Sequence, residues 1–282
     1  MTYEKALHEG RKLLKNSGIT EYETDGFLIM SELLGITRTQ YFMQQKDIMP
    51  DESYDIYMKA VNERCSHKPL QYITGRAYFM GYEFKVNENV LIPRMDTETL
   101  VIESEKLISK YYGDKESVKV LDMCTGSGCI AVSLALRNPK TYVTAVDISD
   151  KALETAVNNA DILGCKNVTF ISSDLFDNIS DKYDIIISNP PYIRTDEINR
   201  LMEEVRCYEP YGALDGCEDG LFFYRKITQE AASHLNENGV MCYEIGCDQA
   251  QAVTAIMEKC GFKNCNVIRD LAGLDRVVTG NL

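Results

Sequence analysis

The residues with the clearest potential for chemistry are Asn189, Pro190, Pro191 and Tyr192, which directly follow an apolar run at 183–188. The two prolines fix the backbone and lack N–H donors, so carbonyl groups at this turn remain as acceptors. Asn189 adds a side-chain carbonyl and Tyr192 adds an aromatic face. Two acceptors and a ring suit a planar NH₂ group, either a carboxamide or an aromatic amine.

Such a nitrogen is a poor nucleophile because its lone pair is delocalised. Acceptors that hold its hydrogens let the nitrogen pyramidalise and aim its lone pair at a methyl group on a sulfonium. Catalysis would then depend on positioning and preorganised electrostatics, with no metal and no strong base before transfer. The same tetrapeptide could simply end a strand. We favour catalysis because the turn ends the strand that follows Asp174, beside a predicted cofactor site.

The predicted cofactor site begins where a short apolar strand runs into Asp122-Met-Cys-Thr-Gly-Ser-Gly128. Its glycines, Gly126 and Gly128, allow a tight turn and a close approach to a ligand. The next strand ends at Asp147, which is placed to accept hydrogen bonds from ribose hydroxyls. Asp174 follows the third strand and is placed to accept from an adenine amino group. Three acids at three strand ends predict one cleft for a nucleoside.

The glycine segment leaves the identity of that nucleoside open. Gly126-Ser-Gly128-Cys-Ile-Ala131 satisfies the dinucleotide fingerprint, which is weak alone. A helix N-terminus there could hold a pyrophosphate. It could equally hold the amino-acid end of S-adenosylmethionine, with Asp122 near the amino group.

The elements that would position these residues follow from hydrophobic periodicity. Strands alternate with helices after residue 117, which predicts an α/β fold with a parallel sheet covered on both faces. Residues 1–68 show helical spacing of apolar residues and have Asp51 as an expected N-cap. Residues 69–93 are rich in strand formers, including Tyr72 and Ile73, and suggest a hairpin linker ahead of a domain at 94–282. Strands are predicted at 118–123, 142–147, 168–172, 183–188, 240–245, 266–269 and 276–279, and helices at 96–112, 129–137, 151–163, 221–235 and 249–260.

Composition limits the possible partners. The 282 residues include 30 Lys and Arg against 43 Asp and Glu, for a net charge of −13. That balance disfavours a grip on a phosphate backbone, so direct nucleic-acid binding is not expected. No run approaches the ~18 apolar residues of a membrane span, and the N-terminus lacks a secretory apolar core. We therefore expect a cytoplasmic protein without membrane contact, and a monomer.

The ten cysteines are predicted to be reduced thiols. No pair has the CxxC spacing, and the three histidines are far apart, so no metal site is expected. Most of these cysteines lie in apolar stretches, where a thiol packs as a small hydrophobe.

Over nearly its whole length the sequence resembles the bacterial release factor glutamine N5-methyltransferases, the HemK/PrmC family. The Asn-Pro-Pro-Tyr turn is shared with DNA adenine N6-methyltransferases, whereas the first two of the following segments look specific to the glutamine enzymes. The resemblance is carried by Pro69-Leu-Gln-Tyr-Ile-Thr-Gly75, Val90-Leu-Ile-Pro-Arg-Met-Asp-Thr-Glu98, Thr125-Gly-Ser-Gly-Cys-Ile-Ala131, Ala145-Val-Asp-Ile-Ser149, Asn189-Pro-Pro-Tyr-Ile193, Glu209-Pro210, Ala213-Leu214, Asp219-Gly-Leu221, Glu244-Ile-Gly246 and Asp275-Arg-Val-Val278.

The resemblance implies a Rossmann-like class I methyltransferase with a seven-stranded, mostly parallel sheet, a small N-terminal helical domain and a β-hairpin linker. It implies methyl transfer from S-adenosylmethionine, with S-adenosylhomocysteine as product, to the glutamine of the Gly-Gly-Gln loop in peptide chain release factors. The helical domain and hairpin are implied to contact the release factor. By the same resemblance the cofactor is bound by Thr125, Gly126, Ser127, Gly128, Asp147, Asp174 and Asn189, and the glutamine by Asn189, Pro190, Pro191 and Tyr192.

The sequence departs from the family pattern at two cysteines. Cys124 stands in the cofactor loop where family members usually have glycine, and its side chain would crowd the methionine moiety if the backbone has positive φ. Cys217 stands where the family has the second glycine of a pair. Arg94, Glu209 and Glu244 have two interpretations, either orientation of the substrate or the Asn189 turn, or membership of structural ion pairs.

Other functions remain open at this stage. A ribosomal-protein glutamine would suit the same turn, and only the docking surface would distinguish it. An adenine amine would also fit, but the enzyme would have to flip the base and grip the backbone. A nicotinamide oxidoreductase is compatible with Asp147 and the glycines but leaves 189–192 unexplained. A non-enzymatic sensor would require that Cys124 disable the cofactor site.

Overall fold

The computed structural model describes residues 1–282, which divide into two compact units. The first contains residues 1–76 together with 202–208, and the second contains 77–201 together with 209–282. No helix in the chain is both long enough and apolar enough to cross a membrane.

The first unit is a small helical bundle around a core that includes Leu14, Ile29 and Tyr57. Thr37 forms a capping box with Gln40, which fixes the start of the third helix. The helices are α1 (Tyr3–Asn16), α2 (Tyr22–Leu34), α3 (Arg38–Gln44), α4 (Asp51–Cys65), α5 (Leu70–Thr74) and, much later in the chain, α9 (Glu203–Tyr208).

A buried arginine joins the late segment 202–208 to this bundle. Arg64 donates from Nε to Asp25 at 2.7 Å and from Nη2 to Glu204 at 2.7 Å. The hydroxyl of Tyr208 donates to the carbonyl of Ser66 at 2.6 Å. These contacts explain why a segment so distant in sequence belongs to the helical unit.

The second unit contains a seven-stranded sheet preceded by a two-stranded hairpin. The hairpin strands are β1 (Arg76–Phe79) and β2 (Tyr82–Lys85). The sheet has the order β5-β4-β3-β6-β7-β9-β8, and only β9 runs antiparallel to the other strands. Its strands are β3 (Val118–Met123), β4 (Thr141–Asp147), β5 (Val168–Ser172), β6 (Tyr183–Ser188), β7 (Leu235–Glu244), β8 (Lys263–Arg269) and β9 (Asp275–Asn281).

Helices cover both faces of the sheet because successive strand residues point to opposite sides. On β6, Ile185 and Ile187 pack into one apolar cluster, and Ile186 packs into the other. The helices of this unit are α6 (Glu98–Tyr112), α7 (Cys129–Arg137), α8 (Asp150–Ile162), α10 (Tyr211–Leu214), α11 (Phe222–His234) and α12 (Ala250–Lys259).

The seven strands and the alternation with helices confirm the predicted fold. The structure differs from the sequence expectations in the segment before the sheet. Tyr72 and Ile73 lie in α5 rather than in a strand, and Asp51 is the first residue of α4, whose N-cap is Pro50. Pro69, with φ of −54°, is the N-cap of α5, and Gly75, with φ of 71°, is its C-cap.

The compact units also differ from the expected boundaries at 1–68, 69–93 and 94–282. Residues 69–93 are divided between the two units rather than forming a separate linker. The physical reason is that Phe79 and Phe84 of the hairpin are buried in the same cluster as Leu100 and Ile108 of α6. The assignment of 202–208 to the helical unit was not foreseen from the sequence.

Candidate active site

A cavity of about 620 Å³ lies at the carboxyl ends of the parallel strands, entirely within the second unit. This is where open α/β sheets bind their ligands. Seven of the residues predicted for the site line this cavity: Thr125, Gly126, Ser127, Asp147, Asp174, Asn189 and Pro191.

Asp147 holds the loop after β3 in its conformation. Asp147 accepts from the backbone N–H of Gly126 at 2.8 Å and from that of Ser149 at 2.9 Å. Burial raises the pKa of Asp147, and the two N–H donors lower it in part. Each carboxylate oxygen retains a lone pair for a ligand on the cavity side. Asp147 therefore organises the loop and is also available as an acceptor.

Asp122 supports the same loop through Thr125 and does not line the cavity. Its side chain is 0% exposed and does not line the cavity, and Oδ2 accepts from the hydroxyl of Thr125 at 2.6 Å. Burial raises its pKa to about 7. The expectation that Asp122 lies beside the amino group of a cofactor stays a prediction; in this structure the carboxylate reaches the cavity-lining residues through its hydrogen bond with Thr125.

The two loop glycines have different roles. Gly126 has φ of 55° and open space where a Cβ would be, so it opens toward the cavity. Gly128 has φ of 78° and caps α7, and a Cβ there would lie 3.0 Å from the Cβ of Ala156. Gly128 does not line the cavity. It permits close packing of α7 against α8, which the sequence could not distinguish from ligand contact.

Asn159 is a positioning residue that the sequence did not reveal. Its buried amide on α8 donates to the carbonyls of Ser127 and Lys85, both at 3.0 Å, and accepts from the Lys85 N–H at 2.7 Å. The cofactor loop and the hairpin are thus tied to one side chain. Nothing in the local spacing of α8 signals this role.

Both unusual cysteines adopt the left-handed backbone that favours glycine. Cys124 has φ of 64° and Cys217 has φ of 68°. Cys124 lines the cavity, and burial raises the pKa of its thiol, so it is protonated. A sulfur at this point occupies space beside the predicted cofactor, which gives the sequence expectation a structural basis.

Some residues of the turn after β6 line the cavity, and others pack into the core. Asn189 and Pro191 line the cavity, whereas Pro190 is buried and Tyr192 packs half-buried against the apolar cluster under α11. The Nδ2 of Asn189 donates to the hydroxyl oxygen of Thr97 at 3.4 Å. Because the amide nitrogen is engaged in this way, the carbonyl oxygen is the group left for a ligand.

A second polar side chain anchors the backbone of this turn. Gln249 donates from Nε2 to the carbonyls of Tyr192 at 3.0 Å and Gly220 at 3.2 Å. Its Oε1 accepts from the Gly246 N–H at 2.9 Å and from the Tyr224 hydroxyl at 3.4 Å. All polar atoms of this amide are engaged, which fixes the turn to the loop after β7.

Two glycines allow the neighbouring loop to approach the turn. A Cβ on Gly216 would lie 2.7 Å from Cα of Tyr192, and one on Gly220 would lie 2.5 Å from the Tyr192 carbonyl oxygen. The N–H of Gly216 also donates to the carbonyl of Ile193 at 2.7 Å. Backbone therefore packs directly on backbone here, and no side chain fits between.

The structure distinguishes between the two interpretations of Arg94, Glu209 and Glu244. Arg94 forms an ion pair with the buried Glu209, and Arg94 also lines the cavity. Glu244 forms no salt bridge and is only 2% exposed. Burial raises the pKa of Glu244 to about 7, and Thr97, Arg276 and Asn189 oppose that rise. Glu244 thus belongs to the surroundings of Asn189 rather than to an ion pair.

Several lining residues were not singled out as site residues from the sequence. They include Thr97, Cys129, Ile130, Ile148, Phe222 and Phe223. The segment Val90-Leu-Ile-Pro-Arg94 did stand out as part of the family resemblance, and four of its five residues line the cavity. That motif was the available signal for this wall.

The fold and the site together define a class I methyltransferase: a sheet with one antiparallel strand, and acids and a glycine loop at its carboxyl edge. A solved methyltransferase from Pyrococcus furiosus has the same fold, with a TM-score of 0.52 at 16% identity over 71% of this chain and 89% of that chain. Family models match residues 5–75 as "PrmC N-terminal domain" and 99–205 as "Methyltransferase small domain".

The chain belongs to the release factor glutamine methyltransferase family. It is 38% identical over 278 residues to the release factor glutamine methyltransferase of Thermodesulfovibrio yellowstonii, covering 97% of each chain. It is 37% identical to that of Geobacter sulfurreducens, covering 100% of this chain and 97% of the relative. The predicted family is confirmed.

Proposed function

We propose that this protein transfers a methyl group from S-adenosylmethionine to the side-chain amide nitrogen, N5, of the glutamine in the Gly-Gly-Gln loop of peptide chain release factors. One observation carries the chemistry. Asn189 lines the same cavity as the cofactor loop, with its NH₂ engaged by Thr97 and its carbonyl left for a substrate amide.

The cavity suits the cofactor in size and in donor set. Its volume is within the range of small-molecule sites. Asp147 would accept from the ribose hydroxyls, and the exposed Asp174 would accept from the adenine amine. Thr125, Gly126 and Ser127 would line the methionine part. The product left in the cavity is S-adenosylhomocysteine.

The residues of the turn prepare the amide for transfer. When bound, the cofactor supplies an electrophilic methyl group whose S–C electron pair passes to sulfur as the N–C bond forms. Asn189 and a carbonyl of the turn accept the two N–H groups of the glutamine, which orients the nitrogen lone pair. The same acceptors become stronger partners as the nitrogen gains positive charge, so they stabilise the transition state more than the ground state. The extra proton then leaves to water.

We further propose that the helical unit docks the release factor, as expected for residues 1–68. Phe42, Met43 and Ile48 are exposed by 59%, 82% and 80%, so three large apolar side chains lie within seven residues of the chain at the surface of the bundle. Changing Phe42 and Met43 to serine should raise the KM for the intact factor. It should leave transfer to a short Gly-Gly-Gln peptide unchanged, because the peptide lacks the docking partner.

Methylation of a ribosomal-protein glutamine is the nearest alternative, since the same turn would hold that amide. DNA adenine methylation is less favoured, because a net charge of −13 opposes a grip on the phosphate backbone. A nicotinamide oxidoreductase would leave the Asn189 turn without a role. A monomer without direct nucleic-acid contact stays our expectation.

The deciding experiment offers methyl-labelled S-adenosylmethionine with four targets: release factor, release factor with the loop glutamine changed to alanine, a ribosomal-protein mixture, and duplex DNA. We expect label on the intact factor alone. Label on the altered factor would move the target residue elsewhere. Label only on ribosomal protein or DNA would overturn the proposal in favour of that alternative.

A further inference from the structure

Glu244 ends β7 beside the reactive turn. Ser188 of β6 pairs with Tyr243 of β7, so Asn189 and Glu244 follow as neighbours in a parallel ladder. The carboxyl group is buried, and its Oε2 has no hydrogen-bond partner. A buried acid with an unsatisfied oxygen is costly to keep, and a glutamate in such a place needs an explanation.

Thr97 connects this acid to Asn189. The Asn189 Nδ2 donates to the Thr97 hydroxyl oxygen at 3.4 Å, which leaves the hydroxyl proton free to bond elsewhere. Thr97 and Asn189 lie beside the Glu244 carboxyl group, and both side chains lower its pKa and so favour its charged form. The unpartnered Oε2 of Glu244 is an acceptor for that proton, so the donors would run in one direction, from the amide N–H to the hydroxyl and from the hydroxyl to the carboxylate.

We propose that Glu244 is a positioning residue that acts through Thr97 to keep the carbonyl oxygen of Asn189 directed at the methyl-accepting amide. This inference rests on the proposed function and deepens it. An amide can present either its oxygen or its NH₂ to a ligand, and only the oxygen is useful for holding an N–H. Glu244 determines the choice, because a carboxylate accepts hydrogen bonds and does not donate them.

The negative charge also strengthens the acceptor. Hydrogen bonds in a buried chain polarise one another, so a carboxylate at one end increases the electron density on Asn189 Oδ1 at the other. That oxygen faces an N–H that becomes more acidic as the methyl group bonds to nitrogen. An ionised Glu244 therefore favours the transition state over the bound substrate, and its effect should appear in kcat rather than in KM.

Several charged and titratable groups surround the Glu244 carboxyl group. The guanidinium of Arg276 attracts it, although that group bonds Asp270 at 3.1 Å and pairs with Asp96 at 3.4 Å. The groups that face Glu244 from the elements around it are Arg276 on β9, Asp96 before α6, Tyr192 after β6, Tyr224 on α11 and Cys129 on α7. Burial raises the pKa of each of the two tyrosines and of Cys129, so these three stay neutral around pH 7.

The test measures kcat, KM for release factor and cofactor Kd for four variants. Glu244→Leu and Thr97→Val should each lower kcat about 100-fold with little change in either binding constant. Glu244→Gln retains an acceptor for Thr97 without the charge, so it should recover most of that loss, to within about 10-fold of the unaltered protein. Thr97→Ser keeps the hydroxyl and should restore kcat almost fully.

Two further measurements separate positioning from general damage. The double variant Thr97→Val, Glu244→Leu should be no slower than either single variant, since both break the same chain. The kcat of the unaltered protein should rise with pH through about 7 at saturating cofactor, and Glu244→Gln should remove that rise. Asp184→Asn is the matched control: it neutralises a buried acid at the opposite end of β6, and it should lower stability without changing kcat.

Distinct results contradict the inference and the proposed function. If the unaltered protein methylates release factor and Glu244→Leu retains its kcat, the inference fails and the function stands. The inference also fails if Glu244→Gln is as slow as Glu244→Leu and the two single effects multiply in the double variant. If the unaltered protein labels no release factor, the proposed function itself fails.

Discussion

The two halves of the cavity differ in how their reactive groups are supported. On the predicted cofactor side, Asp147 both shapes the loop, by accepting from Gly126, and faces the cavity. On the substrate side the functional group is held by others: Thr97 engages Asn189, and Gln249 anchors the backbone behind it. A nucleoside needs acceptors at fixed points, whereas a weak nucleophile needs an acceptor whose direction is controlled. This difference in construction is what the proposed function requires of the two halves.

Among the variants that compare supporting residues in the two halves, the largest effect is expected for a pair of glycines. Gly220→Ala would place Cβ 2.5 Å from the Tyr192 carbonyl and displace the reactive turn, so kcat should fall at least ~100-fold. Gly126→Ala meets open space and should mainly weaken cofactor binding several-fold, through its φ of 55°. Steady-state kinetics and calorimetry on both variants would test this. Equal losses of kcat would show that the halves are not separable.

The second comparison concerns the acids at the strand ends. Asp147→Ala removes two backbone hydrogen bonds and the ribose acceptor, and we expect a cofactor Kd about 30- to 100-fold higher, from roughly 2–3 kcal/mol. Asp174→Ala should cost less than 10-fold, since this side chain is exposed and makes no bond that shapes the loop. Titration calorimetry with S-adenosylmethionine measures both. A larger effect at Asp174 would reverse the assignment of the organising acid.

A third comparison removes each of the two supporting amide side chains in turn. Asn159→Ala releases the carbonyl of Ser127 and should raise the cofactor Kd about 10-fold, with kcat at saturation nearly unchanged. Gln249→Ala releases the carbonyl of Tyr192 and should lower kcat about 10-fold, with the cofactor Kd nearly unchanged. Each variant is the control for the other. A change in both constants for both variants would indicate that one rigid network serves the whole cavity.

The smallest effects are expected for Cys124 and Cys217, the two cysteines with a left-handed backbone conformation. Changing either to glycine removes backbone strain of about 1 kcal/mol, which the flexibility of glycine in the unfolded chain partly offsets. We expect a rise of up to ~1 kcal/mol in the free energy of unfolding for each. Only Cys124→Gly should also tighten cofactor binding, by a few-fold, because only Cys124 lines the cavity. Denaturant unfolding and calorimetry would detect both effects, and tighter binding in Cys217→Gly would contradict this assignment.

The sequence located most of the cavity-lining residues predicted to bind the cofactor because their signals are local. Asp147 closes an apolar strand, and parallel topology places such a residue at the ligand edge. The reactive turn was equally visible from its prolines. The supports of that turn were not, since Thr97, Glu244 and Gln249 are brought to Asn189 by strand order and long connections. Gly128 and Asp122 belong to a motif that suggests ligand contact, yet neither lines the cavity: Gly128 lets α7 pack closely on α8, and Asp122 accepts from the Thr125 hydroxyl.

The most direct test of the central claim is to measure cofactor affinity and methyl transfer in parallel on Asn189→Ala. If Asn189 acts by holding the substrate amide, transfer to release factor should fall about 1000-fold while S-adenosylmethionine binds with an affinity close to that of the unaltered protein. Transfer that survives nearly intact would contradict the role of the turn. Loss of cofactor binding together with transfer would contradict the division of the cavity into two separately supported halves.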